Sequence, residues 1–204
     1  MNRLSLVILS FALTACATAD EDSWPFDATP VSQLKEPWAM TFLPDGRLLV
    51  TEKAGRVLIV TQDGAQSAPL PGVPDVDYGG QGGLGDVVLH PGFADNKVVY
   101  LSYAEAGDDD TRGAAVARGT LSLNATGGGE LNNMTVIWRQ HPKVTGRGHY
   151  GHRLAFSPDG YLFISSGDRQ KFDPAQDMQM NLGKVLRLHD DGTVPDNNPF
   201  SDQG

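Results

Sequence analysis

Two stretches of the chain repeat one pattern of apolar and polar positions. Residues 39–50 and residues 153–164 each consist of an apolar segment, a Pro-Asp-Gly tripeptide and a second apolar segment. Proline fixes φ at about −65° and glycine readily adopts positive φ, so the tripeptide is typical of a tight turn between antiparallel strands. The pattern therefore predicts two β-hairpins of the same design.

Further strands complete a unit that occurs three times. A looser copy of the hairpin occupies residues 86–103, and each hairpin is followed by an outer strand or strand pair. The outer strands are predicted at residues 55–60, 114–123 and 183–188. The unit recurs after 47 residues, from Pro44 to Pro91, and then after 67, from Pro91 to Pro158.

This long-range repeat favours a β-propeller, in which each blade contains several strands. A β-sandwich would space its strands by about 8–12 residues without such self-similarity. No window of about 11–18 residues has the period of a helix. The sequence therefore predicts an all-β chain with about three blades.

Three blades are too few to close a ring, because propellers use about four to eight. Residues 199–204 have the composition of a loop. We expect the chain to be the front half of a protein of about twice its length, with the propeller domain over residues 30–204. The alternative is an open three-bladed array that pairs with a second copy to form a ring.

The N-terminus, residues 1–19, has the pattern of an export signal. Arg3 precedes an apolar segment over residues 4–13 that is too short to span a bilayer. Two cleavage sites compete: the segment ending in Cys16 resembles the lipobox of bacterial lipoproteins, and residues 17–19 form an Ala-x-Ala site for ordinary secretion.

Cys16 is the only cysteine in the chain, which favours the lipobox and a lipid on its thiol. Residues 20–29 are interpreted as a solvated tether. We expect an exported protein, located in the periplasm or anchored to the membrane as a lipoprotein of a bacterium.

Charge argues against a nucleic-acid partner. The chain has 16 Lys and Arg against 25 Asp and Glu, a formal net charge of −9, and its basic residues do not cluster. Phosphate backbones require clustered cations. A lipid on the N-terminus is then the only membrane contact that we expect.

The candidate site is expected where the innermost strands begin, because loops from all blades converge there. The loop over residues 78–86 is almost all glycine around Gln81, whose amide offers both a donor and an acceptor. Glycine allows a ligand to approach the backbone closely. A tight turn with an exposed glutamine is the alternative interpretation.

His149 and Asp168 form the candidate catalytic pair. If the hairpin turn is centred near 159.5, residue 151 lies opposite residue 168, and the pair meets at one end of the hairpin. A carboxylate that accepts from one imidazole nitrogen fixes the tautomer and leaves the other nitrogen as a general base. The alternative is a loop histidine bonded to backbone, and His152, which heads a strand, is assigned a structural role.

No metal site is predicted in this chain. Structural zinc requires four nitrogen or sulfur ligands, and the folded domain contains no cysteine. The run Asp108-Asp109-Asp110 does not have the spacing of an EF-hand loop, so we interpret it as a solvated loop.

Four motifs, in order, resemble those of the glucose/sorbosone dehydrogenase family over roughly residues 30–204. They are Pro37-Trp38-Ala39-Met40 with Pro44-Asp45-Gly46; Gly80-Gln81-Gly82-Gly83-Leu84-Gly85-Asp86 with His90-Pro91-Gly92-Phe93; His149-Tyr150-Gly151-His152-Arg153-Leu154 with Gly167-Asp168; and Gly183-Lys184-Val185-Leu186-Arg187-Leu188 with Asp191-Gly192 and Asn198-Pro199-Phe200. The resemblance implies a six-bladed β-propeller, of which about three blades are present, that uses pyrroloquinoline quinone with calcium.

The resemblance also implies roles for the candidate residues. His149 removes the proton from the C1 hydroxyl of an aldose while hydride passes to the quinone, Asp168 orients the imidazole, and Gln81 positions the sugar. The product is a lactone, and the electrons leave to an external acceptor.

The family's calcium and quinone segments have no counterpart up to Gly204. The cofactor-binding residues are therefore unknown, and we expect residues 1–204 alone to be inactive. The alternative function is an exported propeller that kept the fold as a binding or scaffold module without the chemistry.

Overall fold

The computed structural model describes residues 26–201 and residue 203. The chain divides into two units, residues 1–30 and residues 31–204. The described part of the first unit, residues 26–30, contains no helix or strand. The predicted export signal, Cys16 and residues 20–25 of the predicted tether lie outside the described residues.

Three antiparallel sheets make up the second unit, which confirms the all-β prediction and its three blades. The first sheet consists of β1 (Pro37–Phe42), β2 (Leu48–Glu52) and β3 (Arg56–Val60). The middle sheet consists of β4 (Leu84–Leu89), β5 (Val98–Ala106), β6 (Arg112–Leu123) and β7 (Gly129–Arg139). The third consists of β8 (Gly151–Phe156), β9 (Leu162–Ser166) and β10 (Lys184–Leu188).

Two short helical segments interrupt the loops. Helix α1 (Phe93–Asn96) lies between β4 and β5, and a 3₁₀ helix (Asp173–Gln176) lies between β9 and β10. The predicted unit allowed for an outer strand pair, and β7 forms that pair with β6 in the middle sheet, although its residues were not predicted. In the part of the chain that the structure describes, no helix is long and apolar enough to cross a membrane.

The two predicted Pro-Asp-Gly turns have the same geometry. Gly46 has φ 85° and donates its N–H to the carbonyl of Leu43 at 2.9 Å. Gly160 has φ 89° and donates to the carbonyl of Ser157 at 2.9 Å. A side chain at either glycine would strain this left-handed backbone, which explains why the repeat keeps glycine there.

The middle sheet is packed on both of its faces. Along β5, Val99 and Leu101 point into a core shared with the first sheet, while Val98 and Tyr100 point into a core shared with the third. Successive side chains of a strand point to opposite faces. A continuous apolar strand is therefore the expected centre of three stacked blades.

The first strands of the three blades lie side by side, with β4 between β1 and β8. Asp86 on β4, which is 3 % exposed, accepts the N–H of Leu154 at 2.8 Å and a hydrogen bond from Arg153 at 3.1 Å. Ser102 donates its hydroxyl to the carbonyl of His152 at 2.7 Å. These bonds hold β4 and β5 against the start of β8, and the loops before β4 and β8 therefore begin close together.

Candidate active site

His149 and Asp168 are brought together at the start of the third sheet. Nδ1 of His149 lies 2.8 Å from Oδ1 of Asp168, and the same oxygen accepts the N–H of Gln170 at 3.1 Å. The hydrogen bond from His149, with that of Gln170, lowers the pKa of Asp168 below its usual range. The carboxylate is therefore charged at neutral pH and can hold Nδ1 as the donor.

The predicted register of this hairpin is wrong. Gly151 pairs with Ser166 and not with residue 168. The turn is centred one half-residue earlier than predicted, and a β-bulge between Gly151 and Leu154 adds one residue to β8. The two differences shift the pairing so that His149 still lies beside Asp168.

Backbone geometry at the pair is strained. His149 has φ 50° and Arg169 has φ 56°, both left-handed values that cost of order 1–3 kcal/mol for a residue with a side chain. Gly167, which precedes Asp168, approaches the backbone of His149 closely. A Cβ at Gly167 would lie 1.9 Å from the carbonyl oxygen of His149, so there is no room for a side chain. Strain and close approach of this kind concentrate at functional sites.

The second nitrogen of the imidazole faces away from these contacts. The His149 side chain is 49 % exposed, and no residue among 26–201 and 203 forms a hydrogen bond with its Nε2. An oriented imidazole with one unbonded nitrogen can accept a proton from a bound hydroxyl group.

Gln81 belongs to the same site. Its side-chain Oε1 accepts the backbone N–H of His149 at 2.7 Å, and the backbone N–H of Gln81 donates to the carbonyl of Arg147 at 2.8 Å. The bond to Oε1 fixes the orientation of the amide, so Nε2 is left as a donor without a partner in the described part of the chain. Gly80 permits this approach, since a Cβ there would lie 2.7 Å from the carbonyl oxygen of Arg147.

His152 lies in the core beside the site. Its ring stacks on Tyr150 with centroids 5.3 Å apart and meets Trp38 edge-on at 5.8 Å. Burial, with a smaller contribution from the charge of Arg169, lowers the pKa of His152 to about 4. The imidazole is neutral at physiological pH and packs as an aromatic ring, in line with a structural role.

Sequence reasoning missed Arg169 and Gln140, which lie under the site. Arg169 is 1 % exposed and Gln140 is 2 % exposed. Gln140 donates its side-chain amide to Ser166 and to the carbonyl of Gly167, both at 2.8 Å. The partners of Arg169 are largely backbone carbonyls, which leave no pattern in the sequence.

Basic residues near the site already have partners. Arg147 pairs with Asp77 at 3.0 Å. Lys53 donates to the carbonyl of Gly80 at 2.6 Å and lies 3.8 Å from Glu36. The described residues therefore present no cluster of unpaired cations around His149.

Acidic residues do not gather into a metal site in the described ranges, where no group of three or more His, Cys, Asp or Glu could hold a metal ion. In the predicted solvated loop, Asp110 pairs with Arg112 at 2.5 Å. Asp109 and Asp110 both have positive φ.

Comparison with known proteins places these features in a family. The model of the family described as Glucose / Sorbosone dehydrogenase matches residues 34–204. The chain is 44 % identical over 169 residues to aldose sugar dehydrogenase YliI of Escherichia coli K12, covering 82 % of this chain and 45 % of that protein.

Solved structures give the same result. The apo form of the soluble aldose sugar dehydrogenase of Escherichia coli is 42 % identical, with a TM-score of 0.79 over 84 % of this chain and 49 % of that one. The PQQ-bound aldose sugar dehydrogenase of Streptomyces coelicolor is 29 % identical, with a TM-score of 0.73 over 85 % and 50 %. The chain spans about half the length of the curated relatives that it matches.

Proposed function

The chain belongs to the glucose/sorbosone dehydrogenase family, and from that premise we propose that it supplies the proton-accepting half of a quinoprotein sugar dehydrogenase site. The reaction is oxidation of the C1 hydroxyl of an aldose to a lactone. The observation that carries the proposal is the His149–Asp168 pair, with Nδ1 bonded to the carboxylate at 2.8 Å and Nε2 without a hydrogen bond to any of the described residues.

Removal of the hydroxyl proton is assigned to His149. Asp168 accepts from Nδ1–H, so the lone pair resides on Nε2, the nitrogen toward which a sugar hydroxyl would donate. When Nε2 takes the proton, the imidazolium that forms lies against a carboxylate, whose charge stabilises it. Asp168 therefore sets the tautomer of His149 and also favours its acceptance of a proton.

Positioning of the sugar is assigned to Gln81. Its Oε1 is occupied by the N–H of His149 at 2.7 Å, and its Nε2 remains to donate to a substrate oxygen. The same side chain thus links the base to the binding of the substrate.

Pyrroloquinoline quinone, proposed from the family, would supply the acceptor for the hydride. The residues described here are suited to accept a proton beside such a quinone, but they are not suited to bind the quinone itself. A quinone with several carboxylates requires cations, and Arg147 and Lys53 are already bonded to Asp77 and Gly80. We therefore assign no residue of this chain to holding the quinone, and calcium is proposed on family resemblance alone.

Export completes the proposal. The N-terminal pattern supports a periplasmic or lipid-anchored protein that passes its electrons to an external acceptor. The net charge of −9 supports a partner other than nucleic acid.

Steady-state turnover of the full-length protein tests the proposed function. The protein is incubated with pyrroloquinoline quinone and calcium, and dye reduction is followed with a panel of aldoses. We expect sugar-dependent dye reduction that requires the quinone. Dye reduction that does not need the quinone would contradict the proposed cofactor. The absence of turnover with every aldose would favour a binding or scaffold propeller instead.

A further inference from the structure

Arg169 lies directly beneath the candidate base, and we propose that it is the positioning residue for the His149–Asp168 pair. Its guanidinium holds the loop that carries His149, while its backbone continues from Asp168. The inference rests on the proposed function of His149 as a base, and it adds a residue to which neither the sequence motifs nor the family comparison assigned a role.

The guanidinium is bonded to backbone carbonyls on both sides. Nε donates to the carbonyl of Gly148 at 2.8 Å, Nη1 donates to the carbonyl of Arg112 at 2.6 Å, and Nη2 donates to the carbonyl of Gly146. Gly146 and Gly148 belong to the loop immediately before His149. Arg112 begins β6 in the neighbouring blade, so the contact ties this loop to a fixed strand.

An aromatic ring supports the guanidinium from one face. Cζ of Arg169 lies 3.8 Å from the centre of the Tyr150 ring, and both side chains are 1 % exposed. A planar cation stacked on a ring and bonded at its edges has little freedom to move. Its position is therefore set by the protein core and not by solvent.

No carboxylate pairs with Arg169 among the residues that the structure describes. A buried charge of this kind is costly unless hydrogen bonds compensate it. Here the compensation comes from carbonyl dipoles of the loop before His149. Arginine is suited to this task because its donors form a rigid fork, whereas the single ammonium of a lysine could not reach carbonyls on opposite sides.

The backbone of Arg169 completes the connection. Its N–H donates to the carbonyl of His149 at 3.2 Å, and it follows Asp168 directly in sequence. One residue thus contacts the base through the main chain, holds the preceding loop through its side chain and fixes the position of the carboxylate. A displacement of Arg169 would change the distance between Nδ1 and the carboxylate.

Separate contacts of Arg147 explain why the loss of the Arg169 guanidinium should have a local effect on the site. Arg147 is held by Asp77 at 3.0 Å, and its carbonyl accepts the N–H of Gln81 at 2.8 Å. Arg147 lies between Gly146 and Gly148 and keeps its own contacts with Asp77 and Gln81 when the guanidinium of Arg169 is removed. Loss of the guanidinium should therefore disturb the imidazole more than the position of Gln81.

The test compares Arg169→Gln and Arg169→Lys with Arg187→Gln in the full-length protein. Arg187 is a matched control, because its guanidinium also stacks on a tyrosine, Tyr161, at 3.9 Å and bonds to a neighbouring loop at Asn197. Two readouts are used: kcat and KM with an aldose, and the NMR signal of the hydrogen-bonded Nδ1–H in protein labelled at histidine, assigned by its loss in His149→Ala.

We expect Arg169→Gln to lower kcat by about 10²-fold, the effect of misplacing a catalytic group by about an ångström, with a smaller change in KM. The Nδ1–H signal should shift or broaden, and Arg169→Lys should recover only part of either effect. Arg187→Gln should retain the wild-type kcat and the wild-type Nδ1–H signal. Wild-type kcat and an unchanged Nδ1–H signal in Arg169→Gln would overturn the proposal.

Misfolding of Arg169→Gln and failure of the proposed function can each be distinguished from failure of this proposal. If Arg169→Gln does not fold, both readouts are taken on Arg169→Lys, and wild-type values there overturn the proposal. If the wild-type protein oxidises no aldose, the proposed function fails, while the NMR signal still shows whether Arg169 positions the pair.

Discussion

The side chain of Gln81 accepts the backbone N–H of His149 at 2.7 Å across 68 residues of sequence. The contact joins the loop before the middle sheet to the loop before the third. Because it uses only the carbonyl end of the amide, the two ends of one side chain can carry the two proposed tasks separately: holding the base and binding the substrate.

Two substitutions at Gln81 separate these tasks. Gln81→Glu keeps an oxygen for the N–H of His149 and removes the donor, so it should raise the KM for the sugar with little change in kcat. Gln81→Ala removes both and should also lower kcat. A lost hydrogen bond to a bound substrate is worth about 1–1.5 kcal/mol, which corresponds to roughly tenfold in KM. Equal effects of the two variants on both constants would contradict this division.

Stability should depend on pH through His152. Burial holds the pKa of His152 at about 4 in the folded protein, below the 6.5 that is usual for histidine. As the pH falls below 6.5, the unfolded chain binds a proton that the folded chain does not, so the free energy of unfolding decreases. Between pH 7.5 and pH 5 the loss is about 2 kcal/mol at 1.36 kcal/mol per pH unit.

Urea unfolding at these two pH values checks this prediction. His152→Asn is the comparison variant, because asparagine does not titrate and tolerates the φ of 70° at this position. The decrease in stability should be smaller in the variant by about 2 kcal/mol. An identical decrease in both proteins would exclude His152 as its source.

A lipid is expected on Cys16, because the only cysteine of the chain occupies the lipobox position. Mass analysis of the mature N-terminus from a bacterial host should find a diacylated cysteine as the first residue. Cys16→Ser should abolish the modification. A free N-terminus at Asp20 would refute the lipid but remain consistent with export.

Residues 1–204 expressed alone should not oxidise aldoses. The described part of this chain offers a base and an amide but no cluster of unpaired cations for a quinone, and preorganised charge supplies a large share of catalysis. The measurement is dye reduction with added quinone and calcium, beside the full-length protein. Turnover by the short chain would refute the prediction.

Local chemistry explains which features could be predicted from the sequence. The hairpin turns follow from the Pro-Asp-Gly tripeptides, since each residue of the turn has a conformational reason to be there. The meeting of His149 with Asp168 was predicted correctly, although the predicted register of the hairpin was wrong. The bulge that shifts the register contains His152 at φ 70°. A histidine in the sequence does not by itself predict a bulge.

Tertiary contacts account for the features that were missed. Strand β7 (Gly129–Arg139) contains Gly129, Asn132 and Asn133, which are unfavourable in strands, and it is stabilised by pairing with β6. Arg169 bonds mainly to backbone carbonyls, which every residue possesses. Its role could be found only once the loop before His149 had a position in space.

The His149–Asp168 pair is the central claim, and its substitutions give the strongest prediction. Asp168→Asn should slow turnover, because an amide can donate to Nδ1 and stabilise the wrong tautomer. His149→Ala removes the base itself. His149→Asn accompanies it, since asparagine accepts the φ of 50° found at this residue, and His189→Ala is the control at an exposed histidine of the third blade.

The most direct measurement is the kcat of His149→Ala and His149→Asn in the full-length protein, with a dye acceptor and a parallel quinone titration. A positioned general base contributes about 10²–10⁴-fold in rate, so kcat should fall by that factor in both variants while quinone affinity and the activity of His189→Ala stay at the wild-type level. Wild-type kcat in His149→Ala and His149→Asn would contradict the assignment of the base.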